Sequence, residues 1–241
     1  MWDRPAAMNR LAGLLLAATV VALLCAALYR LVQLPLFALH ELHLTSAPGH
    51  VTRGQIETIA ARALRGNFFT LDLGAARAAF ETLPWVRKVD MRRRWPDRLE
   101  LTLEEHVPLA RWGTAALVNT HGEVFESAYE GALPVFVGPP GSAKEIAIQF
   151  DYFRRMLETI GQQPAQVQVS ARRAWQLRLE SGLTIELGRD DIEKRLSKFV
   201  AAYERTVGRM HQRLDYVDLR YGNGFAVRLP EAAKPGTRGR G

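Results

Sequence analysis

The sequence has 241 residues, with 32 Lys and Arg against 25 Asp and Glu, and its formal net charge at pH 7 is +7. Its one cysteine, Cys25, lies inside an apolar segment, so disulfides and thiol chemistry are excluded for the rest of the chain. The positive charge favours anionic lipid, acidic wall polymer or an acidic protein as a binding partner. The length after residue 40 is sufficient for one or two small domains.

An uninterrupted apolar segment lies near the N-terminus. Residues 11–29 include no charged side chain, and as a helix they would span roughly 30 Å, the thickness of the hydrocarbon core of a bilayer. A cleaved signal peptide is the alternative, but its apolar part usually has about 7–15 residues and ends at a small-x-small site. This segment is longer, and bulky apolar residues follow it. The pattern predicts a retained transmembrane helix over residues 11–36.

The basic residues beside this segment predict its orientation. Arg4 and Arg10 precede it, whereas Arg30 follows it and weakly favours the opposite orientation. Because positively charged flanks tend to stay in the cytoplasm, we predict a cytoplasmic tail, residues 1–10, and an extracytoplasmic location for the rest. Nucleic acid is not expected as a partner there.

Alternating and helical patterns after the membrane segment predict a small α+β domain. Thr52 and Gln55 have capping-box spacing, and Asp72 can cap a second helix that Pro84 ends. Leu99, Leu101 and Leu103 alternate with polar residues, as in a half-buried strand. The two helices can cover one face of a three-stranded sheet and leave the other face in solvent. The order is strand, helix, helix, strand, strand, over residues 39–45, 53–65, 73–83, 86–94 and 99–103.

The rest of the chain predicts a second domain, a mixed β-sheet with helices packed on it. Residues 107–112 are interpreted as the junction between the domains. Ser142 and Glu145 repeat the capping-box spacing and open a helix to Ile160, and Asp190 or Asp191 caps another. Residues 231–241 have no apolar anchors and are predicted to be disordered. The predicted strands are 116–119, 124–125, 134–137, 167–169, 175–179, 183–187, 216–221 and 225–229.

No combination of side chains indicates catalysis or a cofactor. The six histidines are scattered, and the one close pair, His40 and His43, would point to opposite faces of a strand. Nucleophile-elbow, Ser-x-x-Lys, Walker-type and dinucleotide-binding motifs are absent from the sequence. The carboxylate pair Glu104-Glu105 is interpreted as solvated charge at the end of a strand. We therefore predict a protein that is not an enzyme and holds no metal or cofactor.

A run of three arginines, Arg92-Arg93-Arg94, allows two interpretations. It is either the solvated end of a strand or a patch for anionic lipid or an acidic partner. Trp95, which follows the run and precedes Pro96, is predicted to be a turn residue that packs on the sheet.

The last two strands predict a binding surface. Large residues alternate there at Tyr221, Phe225, Val227 and Leu229. If the second strand lies at the edge of its sheet, its unpaired backbone groups are a template to which a partner can add a strand. The alternative is an ordinary closing strand whose apolar face is buried.

Several motifs in a fixed order resemble those of the FtsQ/DivIB family of cell-division proteins, and the resemblance covers roughly residues 10–230. The resemblance begins with an N-terminal membrane helix and continues with the strand-helix-helix-strand-strand order. The motifs are Trp95-Pro96-x-x-Leu99-x-Leu101-x-Leu103-x-Glu105-x-x-Pro108-x-Ala110-x-Trp112, Ser170-Ala171-Arg172-Arg173-x-Trp175-Gln176-Leu177, Leu187-Gly188-Arg189 and Tyr216-Val217-Asp218-Leu219-Arg220-Tyr221-x-x-Gly224.

The resemblance implies a POTRA domain over residues 37–106 and a β domain over residues 107–230. It further implies a non-catalytic scaffold that links early and late division proteins and controls septal peptidoglycan synthesis. Such a protein lies in the cell inner membrane at the septum as a single-pass type II protein, with its bulk in the periplasm. Other division proteins would bind through the POTRA domain and the membrane helix.

The resemblance also implies the partner-binding residues. FtsB, which acts together with FtsL, adds a strand to the last strand of the β domain in this family. Family members often carry Gly-Trp where this chain has Arg228-Leu229, so Leu229 or Phe225 would replace the aromatic anchor. An alternative keeps the POTRA domain as a docking or chaperone module for exported polypeptides, and a third is an anchored envelope enzyme. Carried over by motif, the binding residues are Arg172, Arg220, Tyr221, Gly224, Phe225, Val227 and Leu229.

Overall fold

The computed structural model describes residues 5–34, 37–39, 41–206, 214–221 and 224–228. The chain divides into two compact units, Met1–Glu105 and His106–Gly241. Each unit has its own core of buried apolar side chains. The predicted α+β fold, an apolar helix followed by a small domain and a larger mixed sheet with helices, is confirmed.

The first element, α1, is a helix over Pro5–Val32. Within it, Ala12–Val32 has the length and composition to cross a membrane, with a mean hydropathy of 2.3 and none of its residues buried in the protein. The 21 residues correspond to roughly 30 Å of helix, which matches the hydrocarbon core. The helix begins before residue 11 and ends before residue 36, the bounds predicted from the sequence.

The first domain has two helices on one face of a three-stranded sheet, as predicted. The strand order is β1-β3-β2, with β1 parallel and β2 antiparallel to β3. Leu99, Leu101 and Leu103 of the central strand are buried against Phe80 and Ile56 of the helices. The elements are β1 Glu41–Leu44, α2 Arg53–Ala63, α3 Leu73–Phe80, β2 Val86–Arg94 and β3 Arg98–Glu105.

Two of the predicted helix caps in this domain are confirmed. Thr52 accepts a hydrogen bond from the Gln55 N–H, and the Gln55 side chain accepts one from the Thr52 N–H, which completes a capping box. Asp72 accepts from the N–H groups of Gly74 and Ala75 at 2.8 and 3.1 Å. Trp95 differs from its prediction, because 77% of its surface is exposed instead of packed on the sheet.

The second domain is a nine-stranded mixed sheet on which two helices pack. The strand order is β12-β11-β10-β9-β8-β7-β4-β5-β6, so β12 and β6 are its edges among the described residues. Phe153 and Phe199 of the helices are fully buried on the sheet. The elements are β4 Pro108–Trp112, β5 Ala116–Asn119, β6 Val124–Phe125, β7 Val135–Val137, α4 Ala143–Glu158, β8 Pro164–Val169, β9 Trp175–Leu179, β10 Thr184–Gly188, α5 Ile192–Tyr203, β11 Tyr216–Asp218 and β12 Ala226–Arg228.

Three interpretations of this region need correction. Residues 108–112 form β4, a strand in the middle of the sheet, and not only a junction. The Ser142 capping box is wrong, because the Ser142 hydroxyl donates to the Pro139 carbonyl at 2.7 Å and caps no N–H. Asp191 is the residue before α5, but its side chain makes no capping hydrogen bond.

Glu105 is not solvated charge but the residue that holds a distant loop. Its carboxylate accepts hydrogen bonds from the N–H groups of Gly49, His50 and Val51 at 2.9–3.1 Å, and the His50 ring lies 3.2 Å away. Burial opposes the charged form, but the hydrogen bonds outweigh it, so the pKa of Glu105 lies below its usual 4.5. The loop after β1 is therefore fastened to the end of β3.

We predict that Glu105→Gln lowers the free energy of unfolding by about 1–3 kcal/mol, because an amide nitrogen would face N–H donors. The folded-state pKa is depressed, so the contribution is present above the unfolded pKa near 4.5 and disappears as the pH falls through the lower folded value. Denaturation of the unmodified chain and of Glu105→Gln, both solubilised in detergent, measures this difference in the free energy of unfolding at pH 7 and at pH 3. A difference that is equally large at both pH values would contradict this role.

Candidate functional site

The edge strand β12 lies where the sequence predicts a binding surface. It pairs antiparallel with β11, with Val217 opposite Val227, and no described strand pairs with its other side. All three residues of Ala226–Arg228 are exposed. In an antiparallel pair, half of the backbone N–H and C=O groups of an edge strand point away from its neighbour. This edge can therefore accept hydrogen bonds from, and donate them to, an added strand.

The predicted apolar residues divide between the core and the surface. Phe225 is partly buried in the second core, and its ring lies edge-on to Phe199 of α5 with 5.7 Å between centroids. Tyr221 and Val227 remain 61% and 39% exposed. Phe225 therefore fixes β12 on its own domain, while Tyr221 and Val227 remain at the surface. Leu229 lies outside the described residues.

Arg220 is bound within the chain. Its guanidinium donates from Nε and Nη2 to the two carboxylate oxygens of Asp218 at 2.9 and 2.7 Å. Asp218 is buried, with 5% of its surface exposed, and the hydrogen bond from Arg220 holds the pKa of Asp218 below its usual range. The arginine predicted to pair with a partner's acidic residue thus already has a carboxylate, although other N–H groups of its guanidinium remain for a second acceptor.

A basic cavity lies between α5 and the edge of the sheet. It has a volume of about 560 Å³ and is open to solvent. Among the described residues, three cations from α5, Lys194, Arg195 and Lys198, line it together with one acidic residue, Asp191. Sequence reasoning missed these cations, although Lys194 and Lys198, four residues apart on the side of α5 opposite the buried Leu196, could have revealed a basic helix face. Tyr221, Gly224 and Phe225 line the same cavity, so three predicted residues meet there.

Arg172 lies at the same end of the sheet as this cavity. It is an exposed residue of the loop that leads into β9, and β9 begins at Trp175 opposite Gly188, where β10 ends. Because β11 runs parallel to β10, Arg220 follows β11 at that same end. One strand separates β9 from β11, so the two loops leave the sheet roughly 10 Å apart. The predicted residues Arg172 and Arg220 thus flank one end of the sheet.

Gly188 explains the Leu-Gly-Arg motif. Its φ of +78° lies in the region that favours glycine, and a Cβ there would lie 2.7 Å from Nη1 of Arg195 and 3.1 Å from Cγ of Arg220. Arg195 in turn donates to the Leu187 carbonyl at 2.6 Å. The glycine lets two arginine side chains cross the end of β10. Within the described ranges, no three His, Cys, Asp or Glu side chains lie close enough to hold a metal ion.

An apolar N-terminal helix, a small domain of two helices on three strands and a larger open sheet define a class of membrane-anchored proteins with two domains. The match to known families is in two parts. The FtsQ-type POTRA domain family matches residues 37–106, and the C-terminal region of the cell division proteins FtsQ/DivIB matches residues 110–220.

Relatives match nearly the whole chain. A cell division protein FtsQ of Nitrosospira multiformis is 43% identical over 233 residues, which cover 95% of this chain and 99% of the relative. One of Burkholderia pseudomallei is 39% identical over 235 residues, covering 95% and 94%. One of Escherichia coli is 36% identical over 188 residues, covering 74% and 68%. The chain belongs to the FtsQ/DivIB family, and its role lies in cell division.

We predict that Gly188→Ala destabilises the second domain more than Gly141→Ala does. Both glycines have a similar positive φ, +78° and +83°, but Gly141 has nothing within 4 Å of the added Cβ. The backbone cost of about 1–2 kcal/mol should be common to both variants. Displacement of Arg195 from the Leu187 carbonyl should add about 1 kcal/mol to the first alone. Thermal unfolding measures the stability of both variants. Equal losses of stability in the two variants would contradict the proposed role of Gly188.

Proposed function

We propose that this protein is a single-pass scaffold of the division machinery that binds FtsB, together with FtsL, by adding a strand of the partner to β12. The observation that carries the proposal is the exposed edge Ala226–Arg228, which lies beside a basic cavity. In strand addition, main-chain hydrogen bonds supply affinity, and pockets for alternate side chains supply specificity. The edge would supply the main-chain hydrogen bonds, and the cavity would supply a pocket for side chains of the partner.

The other edge of the sheet supports the choice of β12. That edge, β6, has two residues, and shortness is one way in which proteins protect an edge from pairing. Phe125 of β6 is buried, and its ring stacks on His106 at 4.1 Å between centroids. In β12 all three described residues are exposed. The two edges therefore differ in what they offer to a partner.

The charges of the cavity favour an acidic partner segment. Three cations against one carboxylate leave a net charge of +2 among the titratable residues Asp191, Lys194, Arg195 and Lys198, counted as three minus one. Lys194 and Lys198 are exposed and one helical turn apart. Complementary charges chiefly raise the association rate and fix the register of a complex. We infer that acidic residues of FtsB face this side of α5 when its strand lies on β12.

The membrane helix gives the scaffold its location. The basic residues Arg4 and Arg10, which precede the apolar span Ala12–Val32, favour a cytoplasmic N-terminus, with both domains in the periplasm and the helix in the inner membrane at the septum. Without catalytic chemistry of its own, such a protein would control septal peptidoglycan synthesis through the proteins that it holds. The POTRA domain and the helix would bind other division proteins.

A matched pair of edge variants tests strand addition. Val227→Glu places a charge on β12, and Val124→Glu places the same charge on β6, where the valine is 47% exposed. We expect Val227→Glu to reduce co-purification of FtsB by at least tenfold, equivalent to about 1.4 kcal/mol, because the added carboxylate would have to be desolvated under the partner strand. Val124→Glu should bind FtsB like the unmodified chain.

Thermal unfolding of both variants is the control, since exposed substitutions of this kind change stability by about 0.5 kcal/mol or less. Equal binding by both folded variants, or a loss with Val124→Glu alone, would overturn the assignment of the edge.

Charge reversal tests the cavity. Lys194→Glu combined with Lys198→Glu should lower the association rate constant for FtsB by about tenfold at low salt, and less at high salt, because long-range attraction is screened. Arg154→Glu with Arg155→Glu on α4 makes the same change in net charge elsewhere on the domain. Stopped-flow or surface-binding kinetics measure the rates. Equal slowing by both pairs would indicate an effect of net charge and would contradict a local role for the cavity.

A further inference from the structure

The first domain is fastened directly to the end of α1. Val32 is the last residue of the apolar span, and its carbonyl oxygen accepts a hydrogen bond from the Asn67 side chain at 2.6 Å. Asn67 also forms an antiparallel bridge with Ala38, and the Phe68 N–H donates to the Phe37 carbonyl at 2.9 Å. The loop between α2 and α3 therefore lies beside the point where the chain leaves the membrane helix.

The position of the α2–α3 loop sets the depth of the exposed Phe69 ring relative to the bilayer. If Ala12–Val32 fills the hydrocarbon core, the Val32 carbonyl lies at the boundary between hydrocarbon and headgroups. Asn67, hydrogen-bonded to it, then lies in the headgroup region. Phe69, two residues later, is 50% exposed, and its ring lies edge-on to Phe37 with 5.1 Å between centroids.

A second exposed aromatic residue lies at the same end of the domain. β1 begins at Glu41, shortly after the membrane helix, and Glu41 pairs with Arg98 at the start of β3. Trp95 is in the turn just before Arg98, and it lines an open cavity with Glu41 and His43. Arg93, two residues before Trp95, donates to the Leu71 carbonyl at 2.5 Å and so joins the end of β2 to the α2–α3 loop.

The arginines around Trp95 do not form a strongly cationic patch. Three of them pair with neighbouring carboxylates at 2.8–2.9 Å: Arg92 with Asp90, Arg94 with Glu100, and Arg98 with Glu41. Trp95, at 77%, has the largest exposed fraction among the exposed large apolar side chains of the described residues. Aromatic rings with a polar edge or polar neighbours concentrate at the interface between membrane and water. The rings, more than net charge, define the chemistry of this surface.

We propose that the end of the POTRA domain that carries Phe69 and Trp95 rests in the headgroup region of the phospholipid bilayer, with these two side chains as its anchors. The proposal requires that α1 spans the membrane, and it is independent of strand addition at β12. It gives the domain a fixed orientation, with the helices and strands leading away from the bilayer and the loop held by Glu105 at the far end.

Spin labels test the depth of this surface in the full chain. In a Cys25→Ala background that keeps both rings, single cysteines are introduced by Arg65→Cys in the α2–α3 loop, Arg94→Cys next to Trp95, or Arg53→Cys, labelled with a nitroxide and reconstituted in phosphatidylcholine nanodiscs. Arg53 begins α2 at the opposite end of the domain, roughly 30 Å away along the nine-residue β2, and its side chain is 92% exposed. Power saturation gives the ratio of accessibility to oxygen and to a water-soluble nickel complex.

We expect this ratio to be several-fold higher at positions 65 and 94 than at 53, because oxygen concentrates in the bilayer and the nickel complex does not. Ratios as low at 65 and 94 as at 53 would overturn the proposal. A high ratio that appears only after phosphatidylglycerol is added would overturn the aromatic basis of the anchoring. Because no other division protein is present in the nanodiscs, protection by such a partner cannot produce the expected result.

Quenching of native tryptophan provides a second measurement that needs no label. Brominated phosphatidylcholine should quench the fluorescence of Trp95, obtained as the difference between the unmodified chain and Trp95→Phe. An unquenched difference signal in folded protein would also overturn the proposal.

Discussion

An open sheet must stop hydrogen bonding at two edges, and this constraint dominates the second domain. Nine strands pair side by side, and the described order ends at β12 on one side and β6 on the other. At each edge the outward N–H and C=O groups require water or another chain. The chain protects β6 by keeping it short and burying Phe125. It leaves β12 exposed. The contact between the Phe225 ring and Phe199 of α5 holds that strand on the domain.

The side chains around β12 suit an unpaired edge strand that, as proposed, binds one partner in preference to others. The buried Asp218 accepts hydrogen bonds from the exposed Arg220 at the end of β11, and Gly188 leaves room for Arg195 and Arg220 to cross the end of β10. These groups hold the backbone of the edge. In the proposed complex, the exposed cations Lys194 and Lys198 and the exposed ring of Tyr221 would select the partner. Support and selection are thus assigned to different side chains.

Structure that depends on residues close together in the chain could be predicted from the sequence. Structure that depends on residues far apart in the chain could not. Alternation predicted the strands around Leu101 and the hairpin of β9 and β10, because burial of one face requires it. Thr52 and Asp72 were predicted as caps because their acceptors lie within three residues of the donors. Glu105 was misread because its donors lie 54 to 56 residues earlier in the chain. Alternation also could not decide that Phe225 faces its own core, since it does not say which face is buried.

Hydrogen exchange measures most directly whether β12 is the edge that a partner completes. The backbone amides of Ala226–Arg228 are compared in the full chain alone and with the periplasmic segment of FtsB, with Val124 and Phe125 of β6 as the internal reference. Strand addition predicts slower exchange at β12 on complex formation and unchanged exchange at β6, because the new hydrogen bonds form at one edge only. Protection at β6 or in the first domain, with β12 unchanged, would contradict the account.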